Sequence, residues 1–187
     1  MENRISGQVY DIERALYNIK NTEVSECTFA GPADGESALK ETRNVLVKNC
    51  NFSLRYPLWH ARGFEMDTVN MDELTRAAIW YSYDGLIKNS KLNGIKALRE
   101  CENIQMKDCI VNSPEFGWKT KKLSISRSEM ESEYFLFECK DVIIDELKQK
   151  GKYSFQYVEN MTITNSYLDT KDAFWHGKNM ARVKKSF

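Results

Sequence analysis

Two short segments of this chain nearly repeat each other: YPLWHARG, Tyr56 to Gly63, and DAFWHGKN, Asp172 to Asn179. They hold both of its histidines, His60 and His176. A histidine pair suggests metal ligation or proton relay. Between them stand Arg99, Glu100, Lys119 and Glu138. A basic side chain that takes a proton, beside a carboxylic acid that gives one, could open a uronic-acid chain by elimination, and two carboxyl groups could hydrolyse a glycosidic bond. Five cysteines, Cys27, Cys50, Cys101, Cys109 and Cys139, complete the reactive set. Which of these residues can act together depends on the elements that carry them.

Those elements repeat. NVLVKNCNF (Asn44–Phe52), DGLIKNSKL (Asp84–Leu92), NIQMKDCIV (Asn103–Val111), KLSISRSEM (Lys122–Met130), DVIIDELKQ (Asp141–Gln149) and NMTITNSYL (Asn160–Leu168) align on their seventh residue, and Met71 and Cys27 extend the anchor column. On this register the steps are 23 and 21 residues and then 19 throughout, so two insertions are expected, one of them in GPADGES. Three places before the anchor stand Val24, Val47, Thr68, Ile87, Met106, Ile125, Ile144 and Ile163; five before stand Val45, Met66, Gly85, Ile104, Leu123, Val142 and Met161. Such alternation of apolar, often β-branched positions predicts strands. Asn49, Asn70, Asn89, Asp108 and Asn165 precede the anchor, and Asn21, Asn44, Asp84, Asn103, Asp141, Asn160 and Asn179 open the segments. Asn and Asp tolerate the left-handed backbone of sharp corners. The pattern predicts an all-β fold: a single-stranded right-handed parallel β-helix of about nine coils, with handedness expected from the rule for parallel crossovers. Leucine-rich repeats need a leucine framework, hexapeptide helices multiples of six and pentapeptide helices a period of five; no long segment keeps a helical stripe.

This period separates the reactive residues. Eight places after the anchor comes an inward column, Leu58, Ile79, Leu98, Gly117, Leu136, Phe155 and Phe174. Its outward neighbours are Trp59, Trp80, Arg99, Trp118, Phe137, Gln156 and Trp175, with Tyr17 and Lys40 before them. At ~4.8 Å per coil they make a stripe roughly 40 Å long, and Tyr17, Trp59, Trp80, Arg99, Trp118 and Trp175 are its candidate ligand-binding residues. His60 and His176 lie in the next column, six coils and roughly 29 Å apart, which excludes a joint metal or proton-relay site. Glu100 and Glu138 would be about 10 Å apart with Lys119 between them, so a salt-bridge ladder is the simpler reading. Cys27 and Cys50 stack inward, and an odd number of cysteines without CxxC or Cys/His spacing predicts reduced, buried thiols. No phosphate loop, GxSxG, HExxH or EF-hand spacing occurs, and no metal or cofactor is expected.

Lys plus Arg equals Asp plus Glu at 27 each, which argues against a nucleic-acid partner. The start of the chain lacks an apolar signal region and no stretch is long enough to span a membrane, so a cytoplasmic protein without a membrane partner is expected. The 187 residues read as one domain, with an N-terminal cap and first coil in 1–20 and an incomplete last coil in 179–187. A strict register puts Arg182 and Lys185 at apolar positions, whereas a one-residue bulge would put Val183 and Ser186 there. The open cross-section predicts pairing of copies through the C-terminal end, or a frayed last coil.

The segments ERALY, GPADGESALKE, LRYPLWH, LNGIKALREC, NSPEFGWK, ESEYFLFE and GKYSFQYVENMTITNSYLDTKDAFWH resemble an uncharacterised bacterial family of unknown function, from about Glu13 to Asn179. The resemblance implies a pectate-lyase-like, or pectin-lyase-like, right-handed β-helix and transfers no catalytic residues. Members of the family continue for further coils after the segment matching DAFWH. The wider superfamily's signatures are missing: there is no paired-Asp motif, Gly-His-Gly, Arg-Ile-Lys or Gln-Asp-Thr-Leu. Two functional expectations follow. One is a cytoplasmic binding or scaffold solenoid that presents the stripe to a glycan or protein partner. The other is a carbohydrate-active enzyme, a lyase or hydrolase, using Arg99, Glu100 and Lys119 flanked by Trp80 and Trp118.

Overall fold

The structure, a computed structural model, describes residues 1–31 and 35–183. The chain winds as a parallel β-solenoid of about nine turns. Each turn has three sides. The first carries strands Asn3–Ser6, Lys20–Ser25, Arg43–Lys48, Arg62–Asp67, Tyr83–Lys88, Glu102–Lys107, Glu159–Thr164 and Lys178–Val183. The second carries Val9–Tyr10, Thr28–Ala30, Asn51–Ser53, Asn70–Met71, Lys91–Leu92, Ile110–Asn112 and Tyr167–Lys171. Lys121–Glu131 and Lys140–Lys152 run through the corner and serve both sides. The third side is built from hydrogen-bonded turns.

The corners explain the polar columns. Asn21, Asn44, Asp84, Asn103, Asp141, Asn160 and Asn179 all have positive φ, and Gly63 and Lys122 complete that column. The second corner is Glu26, Asn49, Thr68, Asn89, Asp108, Arg127, Glu146 and Asn165, again at positive φ. At the first corner the side chains form a ladder, with Asn44 donating to Asn21 at 2.8 Å, Asn103 to Asp84 at 2.6 Å and Asn160 to Asp141 at 2.8 Å.

Inside each corner lies a column of small residues that cap its backbone. In the anchor column the Val69 N–H donates to Ser90 Oγ, Cys109 N–H to Ser128 Oγ and Leu147 N–H to Ser166 Oγ, all at 3.0 Å. Cys27 and Cys50 belong to it as expected: the Cys27 N–H meets Cys50 Sγ at 3.4 Å, and both thiols are buried. A similar column lies beyond the third side. There Ser82 donates to Leu58 O at 2.7 Å, Cys101 to Ile79 O at 2.9 Å and Cys139 to Gly117 O at 2.8 Å.

The core is made of the inward columns. Ile87, Ile125 and Ile144 are buried, as are Leu58, Ile79, Leu98, Leu136 and Phe155. Two glycines among the apolar columns are explained by neighbours. A Cβ on Gly85 would stand 2.2 Å from the Phe64 ring, and one on Gly117 would stand 2.4 Å from Leu136 Cδ2. In each case a larger side chain from the adjoining coil fills the space.

The register differs from the expected one at Met71. Met71 pairs with Phe52 before it and Leu92 after it, two places beyond the anchor column, and the anchor of that coil is Val69. The inward residues there are accordingly Phe64 and Met66, Gly85 and Ile87 being their partners. Thr68, expected inward, is an exposed corner residue, and Asn70 is in a strand. The two-residue insertion therefore lies after Met71. Thr75 N–H donates to Asp72 O at 3.0 Å, the Thr75 hydroxyl donates to Phe52 O at 2.7 Å, and Leu74 is pushed outward. Because the alternation breaks at the left-handed corner, the shift exchanges faces only beside it: Thr68 turns outward and Val69 is buried, while Met66 and Met71 stay inward in either register. The earlier insertion falls in GPADGES as expected, with its ends so close that a Cβ on Gly31 would stand 2.7 Å from the Gly35 Cα.

Residues 3–18 form a regular first coil, paired with the next through Asn3–Ser6 and Val9–Tyr10. At the other end the strict register holds: Ile163 pairs with Arg182 and Thr164 with Val183, without the bulge, and Arg182 is exposed. Lys185, Ser186 and Phe187 lie outside the described residues.

Replacing Gly85 with Val should lower stability by about 1–3 kcal/mol through overpacking against Phe64. Adding Phe64→Ala should recover part of that loss. Urea unfolding of both single variants and the double variant measures the coupling, and strictly additive losses would show that the ring does not occupy the glycine's space.

Candidate functional site

On the third side every second residue has positive φ: Tyr56, Leu58 and His60 on one coil, Lys96, Leu98 and Glu100 on another, Tyr134, Leu136 and Glu138 on a third. The backbone there alternates its partners between the two neighbouring coils. Tyr56 N–H donates forward to Arg76 O at 2.9 Å, Leu58 N–H back to Ala38 O at 2.9 Å, and His60 N–H forward to Trp80 O at 3.0 Å. This zigzag leaves alternate carbonyls without a backbone donor.

The tryptophans fill that need. The indole N–H of Trp59 donates to Ala77 O at 2.6 Å, that of Trp80 to Lys96 O at 2.6 Å and that of Trp118 to Tyr134 O at 2.7 Å. Gln156, in the same column, makes a longer 3.5 Å contact from its amide to Asp172 O. Each of these four side chains reaches the carbonyl three places before the stripe residue of the following coil, which fixes the direction of the three rings.

Held in this way, the side chains stack along the solenoid axis. Lys40 Nζ sits 5.9 Å from the Trp59 ring centre, and Trp59 and Trp80 stack at 5.1 Å with 7° between planes. Arg99 lies 5.0 Å from Trp80 and 5.1 Å from Trp118, and Phe137 packs on Trp118 at 5.0 Å. Of the candidate binding residues, the structure therefore brings Trp59, Trp80, Arg99 and Trp118 into one stack. Tyr17 and Trp175 occupy the ends of the column outside it, and Trp175 is 58% exposed. The stacked residues are half-buried under one another rather than under loops.

Arg99 Nε is 3.8 Å from Glu100 Oε1, and Lys119 Nζ is 3.7 Å from Glu138 Oε2. The charge ladder is thus two loose pairs rather than one row. Glu100 and Lys119 line a shallow cleft of about 350 Å³ with Tyr83, Cys101, Glu102 and Lys121. The histidines are apart: His60 stacks on Tyr81 at 5.1 Å and His176 on Tyr157 at 4.9 Å. Among the described residues no group of three or more His, Cys, Asp or Glu could hold a metal ion, and no helix is long and apolar enough to cross a membrane.

All five cysteines are free and buried. Burial pushes the Cys50 thiol up to about 11 and the Cys101 and Cys139 thiols up to about 12, against partial compensation from backbone hydrogen bonds. These are capping groups, not nucleophiles. The column that holds Cys101 and Cys139 was not anticipated from the sequence, although Ser82, Cys101, Thr120 and Cys139 keep the coil period. The indole caps were not anticipated either, because nothing in residue type distinguishes a tryptophan that caps from one that binds.

The family model that matches, over residues 3–187, is described as Protein of unknown function (DUF3737). The chain belongs to this family. The segments that carry the resemblance, from ERALY to DAFWH, are largely the third-side segments. No curated protein matches the chain. Among solved structures it is similar to PfbA, a surface adhesin of Streptococcus pneumoniae, with TM-score 0.46 and 9% identity over 94% of this chain and 74% of that one. It is also similar to the A-module of the Azotobacter vinelandii mannuronan C-5 epimerase AlgE6, with TM-score 0.38 and 10% identity over 90% and 59%. A third is HetL, a pentapeptide repeat protein of the cyanobacterium Nostoc, with TM-score 0.33 and 7% identity over 94% and 86%.

Trp80→Phe keeps the stack but uncaps Lys96 O, and should cost about 1 kcal/mol in urea unfolding. A loss near zero would mean that water replaces the indole freely. The thiols should resist iodoacetamide at pH 8 in the folded protein and all react in denaturant. Rapid labelling of Cys101 or Cys139 in the native state, read by mass spectrometry, would contradict their burial.

Proposed function

We propose that this DUF3737 protein is a rigid scaffold that docks a protein partner along the third side of its solenoid. The observation that carries the reading is the closed aromatic–cation stack. Its members lie against one another, so this central part of the stripe offers ring edges and charged groups rather than flat platforms, and only Tyr17 and Trp175 at the ends stand outside it. Sugar recognition by stacking needs an open ring face, whereas Trp, Tyr and Arg presented edge-on suit the centre of a protein interface. Tyr157, half-exposed beside the stack, extends the same surface. We read the winding as right-handed and pectin-lyase-like, from the crossover rule and the family resemblance, and the protein as bacterial and cytoplasmic.

The alternative is a carbohydrate-active enzyme using Arg99, Glu100 and Lys119. It has less support, since Arg99 is wedged between two indoles and Lys119 faces Glu138. Association by docking is tested with a photoreactive benzoylphenylalanine placed at Tyr157 on the third side or at Tyr167 on the second. A discrete adduct formed in cells from position 157 alone is expected. Adducts from both positions alike, or from neither, would remove the third side as a docking face.

A further inference from the structure

We infer that Arg99 is a recognition point for a carboxylate, supplied by an acidic side chain of the docked partner. This deepens the docking reading and rests on it. The guanidinium carbon lies between two indoles, 5.0 Å from the Trp80 ring centre and 5.1 Å from that of Trp118. Those rings are themselves held, because their N–H groups bind Lys96 O and Tyr134 O. The position of the guanidinium is therefore set before any ligand arrives. Its side chain is 24% exposed, and a cation between two rings is reached through its N–H groups.

That edge is poorly matched within the chain. Glu100 approaches only to 3.8 Å from Nε, wide of a hydrogen bond. The nearby ammonium groups have carboxylates of their own: Lys96 faces Glu115 at 3.8 Å and Lys119 faces Glu138 at 3.7 Å. A planar guanidinium held in place, whose N–H groups make no hydrogen bond among the described residues, favours a group that accepts two parallel N–H bonds, which a carboxylate does and a single hydroxyl or amide does not. Glu100 then acts as an internal competitor, drawn toward the same edge without closing on it. A lysine in place of Arg99 keeps the charge but loses both the stacking plane and the paired donors.

The probe is a ten-residue peptide of alternating glutamate and glycine, with its glutamine counterpart as control. Binding is followed by tryptophan fluorescence and by the Arg99 Nε–H resonance. The glutamate peptide should shift that resonance, and the glutamine peptide should not. Glu100→Gln should bind several-fold tighter. Arg99→Lys should bind about tenfold weaker, at unchanged far-ultraviolet dichroism. Equal binding of both peptides, failure of Glu100→Gln to bind, or unchanged affinity in a folded Arg99→Lys would each overturn the inference. Inorganic phosphate that displaces the peptide at equal concentration would overturn the carboxylate assignment in favour of a general anion site. If peptide binding fails while adducts from position 157 persist, the carboxylate is wrong and the docking face stands. If both fail, the docking reading falls with it.

Discussion

A chain that turns three corners per coil leaves backbone donors and acceptors behind at every corner, and the rest of this structure depends on satisfying them. Buried peptide groups without partners are costly, and a solenoid multiplies the cost by its number of coils. Here the strands pair regularly on two sides, but each corner needs a left-handed residue and the third side alternates left-handed residues along its length. The backbone cannot close its own hydrogen bonds there. Serine, threonine and cysteine do so from inside, and tryptophan does so from outside.

This requirement explains side chains that otherwise invite a catalytic reading. Cys101 and Cys139 supply short, weakly polar donors to a buried carbonyl, in positions that Ser82 fills on another coil. Thr120, in the same column, keeps a buried hydroxyl without a partner, so the column tolerates an imperfect member. Trp59, Trp80 and Trp118 combine an N–H for the carbonyl with a large apolar surface that shields the turn beneath.

Capping also sets what the surface can do. Once each indole is fixed at one edge by a hydrogen bond, its neighbours on adjoining coils come into register and stack. Arg99 joins because its flat, weakly hydrated cation fits between two rings. The contacts follow the coil spacing, so the stripe is as rigid as the sheets that carry it. A surface of this kind is pre-organised, and little side-chain entropy is lost when a partner settles on it.

The 19-residue period and the alternation of apolar residues were enough to place a parallel solenoid of about nine turns, the inward columns at Ile87, Ile125 and Leu136, the outward stripe and the separation of the two histidines. Those features depend on spacing, and spacing is written in the chain. The register at Met71 was not legible, because Met66 and Met71 are apolar and inward in either register and only Thr68 and Val69, beside the corner, exchange faces. Gly85 and Gly117 read as gaps in apolar columns, but Phe64 from the preceding coil and Leu136 from the following one fill them. The stripe itself was visible, but its state was not. Whether a ring face is open or covered, and whether an indole N–H is free or bound to Lys96 O, depends on rotamers chosen across neighbouring coils. Outside the coil of Met71, spacing alone determines which residues share a column; only packing between coils decides which way each side chain turns and what it leaves exposed.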